Sequence, residues 1–124
     1  MIIRYSEPSG GTVNFTTGKV GGALNLDDGL SYILVGNVYN GLKSVEFWIK
    51  ADNTTKKIMD LSNTAYVQVS DRTITATGWT SPTIYVNGVK NATTISTSTW
   101  AHVVITTETG INATSTVFGK WDTG

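Results

Sequence analysis

The chain has no cysteine, a single histidine and only two prolines in 124 residues, and each scarcity closes off some chemistry. Without thiols there is no disulfide, no thiolate nucleophile and no sulfur-ligated zinc, and one imidazole is too few for a histidine-built zinc site. The cellular compartment stays open, because a domain of this length can fold without cross-links. Nine basic and nine acidic side chains cancel and do not cluster. The positive footprint of a phosphate-backbone binder is therefore missing, and nucleic acid is not an expected partner. No apolar run approaches the roughly 20 residues that cross a bilayer as a helix, so membrane insertion is not expected. The opening "MIIRYSEPSGG" has neither the hydrophobic stretch nor the small-residue cleavage site of a signal peptide.

What the chain has in quantity is threonine, about one residue in six, joined by Val, Ile, Tyr and Trp. Side chains of this kind suit half-buried pleated surfaces, and the glycines fall between apolar runs, where turns are needed. Segments of period two lie near residues 2 to 5, 12 to 15, 23 to 26, 31 to 35, 44 to 51, 57 to 61, 65 to 70, 73 to 77, 83 to 87, 100 to 107 and 114 to 119. No helical stripe, linker or internal repeat interrupts them. The reading is all-β, an antiparallel two-sheet β-sandwich, in one domain spanning residues 1 to 124.

Alternation assigns faces. In "SVEFWIKA" Val45, Phe47 and Ile49 share one side and Glu46, Trp48 and Lys50 the other; a large apolar group on each side suggests a central strand. In "TIYVNG" Ile84 and Val86 oppose Tyr85, and Asn87–Gly88 suits the positive backbone angles of a tight hairpin whose return strand begins at Val89. In "WAHVVITT" Ala101, Val103 and Ile105 oppose Trp100, His102, Val104 and Thr106. "GNVYNG" and "ETGIN" read as turns.

The ordered series "GKVGGALNLDDG", "SVEFWIKA", "SPTIYVNGV", "STSTWAHVVITT" and "VFGKW", from about Gly18 to Trp121, resembles the laminin-G-like branch of the concanavalin A-like lectin and glucanase superfamily. The short versions in bacterial surface proteins and phage virion proteins are the most similar. The resemblance implies a jelly roll of two antiparallel sheets. It further implies that Gly18, Gly21 and Gly22 shape an entry turn, that Ala23 and Leu24 begin the strand leading to the Asp27 loop, and that Phe47, Trp48 and Trp100 pack between or against the sheets. Buried there, Trp48 or Trp100 would cost about 3–5 kcal/mol when replaced by alanine.

Members of this group usually follow the equivalent of "FGKW" with a further turn and a last strand, whereas this sequence stops at Gly124. An open sheet edge is the expected result. The sequence is then a segment of a longer protein, C-terminally incomplete, or a protein whose edge a partner fills, or one in which Ile2, Ile3 and Tyr5 cover the gap.

Catalysis finds little support. Glycoside hydrolysis needs two carboxylates across a cleft, and the Glu, Asp, Glu alternation on one strand that the superfamily's catalytic branch resembles is absent: Glu46 stands alone, Asp60 precedes Leu61 and Ser62, and Asp71 abuts Arg72 at a turn. His102 has no nucleophile pattern beside it, and a packed or sheet-surface role is expected for it. Asp27 and Asp28 could offer oxygen ligands to calcium, as in many laminin-G-like relatives, but "DDG" is also an ordinary turn, and the turn is favoured. The loop aromatics Tyr32, Tyr39, Trp79 and Trp121 are the candidates for glycan contact, Trp79 foremost, on a rim between Gly78 and Thr80. Four N-x-[ST] sequons, at Asn14, Asn53, Asn91 and Asn112, are too few above chance to imply glycosylation. The resulting expectation is a non-enzymatic recognition or adhesion module of an extracellular surface or virion, binding a glycan or protein surface. The alternative is an assembly component, such as a phage decoration or tail protein, that forms homo-oligomers through its open edge.

Overall fold

The computed structural model describes residues 4–6, 14–26, 32–52 and 56–119. Among them every regular element is a strand: β1 (Arg4–Ser6), β2 (Asn14–Thr17), β3 (Gly22–Asn25), β4 (Tyr32–Gly36), β5 (Tyr39–Ile49), β6 (Lys56–Asp60), β7 (Tyr66–Ser70), β8 (Thr73–Thr77), β9 (Thr83–Val86), β10 (Val89–Lys90), β11 (Ala101–Ala113) and β12 (Thr116–Phe118). Each expected segment overlaps one of these. The hairpin at Asn87–Gly88 is present, with φ of 50° and 81° and Val86 opposite Val89.

All ladders are antiparallel. One sheet has the order β1-β4-β12-β6-β7-β8, a second the order β10-β9-β11-β5, and, among the described residues, β2 pairs with β3 alone. The core explains why the two larger sheets associate. Met59, Val67, Val69 and Ile74 from the six-stranded sheet and Ile84, Val86, Val103, Ile105 and Ile111 from the four-stranded sheet form one buried cluster, with Leu61, Ala65, Trp79 and Ile95 from the connections. Alternate residues of β7, β9 and β11 point into it and their neighbours point out, as period two demands. Each fully buried aliphatic chain of this kind stabilises the fold by about 1.5–3 kcal/mol. The core also holds Asp60, whose Oδ1 accepts the backbone N–H of Ser62 at 3.3 Å and of Asn63 at 2.8 Å and so shapes the β6–β7 connection.

Three expectations are corrected. The segment 44 to 51 is not central: β5 lies at the edge of its sheet and pairs, among the described residues, with β11 alone. Trp48, expected to pack against the core, is 43% exposed on the outer face, because the inward positions of β5 are taken by Val45, Phe47 and Ile49. Third, "ETGIN" does not end its strand, and "GNVYNG" holds the expected break only at residues 37–38, between the end of β4 at Gly36 and the start of β5 at Tyr39. Pairing runs from Ala101 opposite Ile49 to Thr106 opposite Ser44, breaks, and resumes with Ile111 opposite Leu42 and Ala113 opposite Tyr39. Between these stretches four residues of β11 (107–110) face only Lys43, so the polar, glycine-containing stretch is a bulge inside a longer strand.

The bulge is anchored from both sides. Thr80 N–H donates to Thr107 Oγ1 at 3.1 Å, Glu108 N–H donates to Thr80 O at 3.0 Å, and the Lys43 ammonium reaches Glu108 O. Gly110 passes so close to Gly41 that a Cβ at 110 would stand 2.7 Å from the Gly41 Cα. Glycine at 110 allows that approach, while Gly41 is favoured by its φ of 79° and has open space where a Cβ would stand.

Candidate functional site

The outer face of the four-stranded sheet is built by the same alternation that builds the core. With Val45, Phe47, Ile49, Val103, Ile105, Ile84 and Val86 turned inward, the intervening residues point outward: Ser44, Glu46 and Trp48 on β5, His102, Val104 and Thr106 on β11, Thr83 and Tyr85 on β9. Register orders them into rows. His102 faces Trp48, Val104 faces both Glu46 and Tyr85, and Tyr85 in turn faces Lys90 on β10.

Specific contacts gather around Trp48. The His102 ring lies with its centroid 5.0 Å from that of the indole, tilted by 47°. His102 Nε2 is 2.7 Å from Glu46 Oε1, a diagonal contact between adjacent strands that fixes the imidazole beside the indole. The position of His102 on β11 is held at the backbone, where its N–H donates to Asn87 Oδ1 at 2.9 Å and its carbonyl accepts the Asn87 N–H at 2.8 Å. From the β2–β3 turn, closed by Gly18 N–H donating to Gly21 O at 2.7 Å, Lys19 places its ammonium 5.7 Å from the Trp48 ring centroid.

The result is a half-exposed aromatic plane flanked by a carboxylate, an imidazole and an ammonium. Glu46 is the one carboxylate among these strand positions, so the face does not present the carboxylate pair that glycosidic cleavage requires. It does present an apolar surface next to hydrogen-bonding groups of both kinds.

The aromatic candidates read from the sequence are not brought together. Trp79 is corrected outright: it is 7% exposed and belongs to the core, so its ring offers no rim surface. The cause is local. Gly78, with φ of 76°, lies so tightly against the Thr64 carbonyl that no side chain fits there, and this packing carries the next residue inward. Tyr32 stands on β4, in the other sheet, rather than in a loop. Tyr39 is 63% exposed but sits on β5 nine residues before Trp48, on the order of 30 Å away along an extended strand. Trp121, Asp27 and Asp28 lie outside the described residues. No group of three or more His, Cys, Asp or Glu side chains is placed to hold a metal among the described residues, and none of the helix type long and apolar enough to cross a membrane occurs among them.

A signal for the face was present in the sequence. In "SVEFWIKA" Trp48 shares its parity with Glu46 and Lys50, two charged residues, and a ring between charges belongs to the solvent side. The packing of Trp48 implied by the family resemblance ran against that pattern. No family model, no curated protein and no solved structure matches this chain.

Proposed function

We propose that this chain is a non-enzymatic recognition module, a jelly roll of the laminin-G-like kind, that binds carbohydrate with the outer face of its four-stranded sheet. The observation that carries the reading is the Trp48, His102 and Glu46 constellation: a half-exposed indole, an imidazole 5.0 Å away and a carboxylate bonded to that imidazole. The C–H face of a sugar ring packs on an aromatic plane, while its hydroxyls need donors and acceptors at the rim of that plane. Display on an extracellular surface or a virion, in adhesion, fits such a module.

The test is a titration of the full chain against a broad oligosaccharide array, followed by tryptophan fluorescence. A bound sugar should quench or shift Trp48 emission, and Trp48→Ala should weaken binding at least about tenfold, or about 1.4 kcal/mol, with the fold intact by circular dichroism. Binding that survives Trp48→Ala unchanged overturns the site.

One observation favours a second reading, structural assembly. β5 is 11 residues long and, among the described residues, ladders only with β11. A free strand of this length is a template for strand addition by a neighbouring copy. Native mass spectrometry over a concentration range separates the readings: a discrete, sugar-independent oligomer supports assembly, and a monomer that binds sugar supports recognition.

A further inference from the structure

Resting on the reading of this face as a sugar site, we infer that its ligand is an acidic oligosaccharide, laid obliquely across β5, β11 and β9 from Trp48 to Tyr85. Both rings point outward, on strands separated by β11. Two strand spacings across the sheet and two residues along it put them about 12 Å apart. A ligand that touches both is longer than one sugar unit.

Each ring has a lysine for a neighbour. Lys19 stands 5.7 Å from the centroid of Trp48, and Lys90 is the cross-strand partner of Tyr85, exposed on the same face. The chain as a whole carries no net charge, yet the neighbours of these two rings include two lysines, Lys19 and Lys90, and one carboxylate, and Glu46 is already engaged by His102. The lysine above Trp48 decides between ligand classes. A neutral sugar stacking on the indole displaces the Lys19 cation and offers it only hydroxyl acceptors, with no opposing charge. A sugar bearing a carboxylate or sulfate gives the displaced ammonium a new partner, and a lysine meets such a group as a point charge without demanding one geometry. The pairing of ring and lysine at both ends calls for acid groups recurring along the ligand.

The experiment presents the full chain to matched neutral, uronate-containing, sulfated and sialylated saccharides, as monosaccharides and oligomers, at low and at physiological salt. The expected result is a bound set that is acidic and oligomeric, with affinity falling as salt rises. Lys19→Gln and Lys90→Gln should each weaken binding several-fold, and Glu46→Gln, which removes a repelling charge, should strengthen it. Preference for neutral oligomers, still abolished by Trp48→Ala, overturns the acidic assignment and leaves the sugar site standing. Acidic monosaccharides binding as well as oligomers overturn the two-ring span. No binding in any class overturns this inference and the sugar reading together.

Discussion

His102 Nε2 lies 2.7 Å from Glu46 Oε1 across the β5–β11 ladder, with the Glu46 side chain 70% exposed. A pair this open to water organises its neighbours more than it stabilises the fold. His102→Gln and Glu46→Gln should each change unfolding free energy by no more than about 1 kcal/mol. Both should alter ligand binding at the adjacent indole. Chemical denaturation beside the saccharide titration measures the two effects separately.

Trp48 and Trp79 should behave in opposite ways. Trp79 is in the core and Trp48 is 43% exposed. Trp79→Ala should cost about 3–5 kcal/mol, whereas Trp48→Ala should cost about 1 kcal/mol or less, the scale of a cross-strand contact. Urea midpoints of the two variants check the assignment, and equal losses would move Trp48 back into the interior.

How much of this was legible beforehand depends on what alternation can report. It marks where strands run and which residues share a face, so Val103, Ile105, Ile84 and Val86 were readable as one side of their strands, and the Asn87–Gly88 turn announced itself chemically. It does not report neighbours in the sheet. β5 carries apolar bulk on both faces, which argued for a central position, yet it is at an edge. Nor does local pattern see the Thr64 carbonyl against which Gly78 packs, and that long-range contact turned Trp79 from rim to core. The bulge at residues 107–110 looked like a turn because its composition is that of one; the ladder beyond it, from Ile111 to Ala113, depends on the distant Gly41.

Two glycines in the left-handed region separate conformational strain from collision. At Gly88, φ is 81° and an added Cβ meets nothing within 4 Å. Gly88→Ala should therefore cost only the backbone preference, about 1–2 kcal/mol. At Gly78, φ is 76° and the Cβ would lie 2.0 Å from the Thr64 carbonyl oxygen. Gly78→Ala should destabilise by clearly more, roughly 3 kcal/mol or above, as strain and overpacking add. Thermal unfolding of the two variants gives the order.

The β7–β8 hairpin offers a gain. Asp71 and Arg72 occupy its two-residue turn with φ of 45° and 65°, between Ser70 and Thr73, which face each other. Asn–Gly adopts that turn with less strain. The double variant Asp71→Asn, Arg72→Gly should raise stability by about 0.5–2 kcal/mol, read as a higher melting temperature, without touching the outer face of the other sheet.

The break between residues 106 and 111 divides β5 and β11 into two stretches whose registers are set by different means. From Ser44 to Ile49 the match is dictated by which side chains must be inside; from Tyr39 to Leu42 it is dictated by the closeness of Gly41 and Gly110. A residue gained or lost within 107–110 would slide the second stretch while leaving the first, with Glu46, Trp48 and His102, in place. The bulge thus works as a slip joint, letting the far end of the sheet change its length and its Tyr39 surface without disturbing the face that carries Trp48.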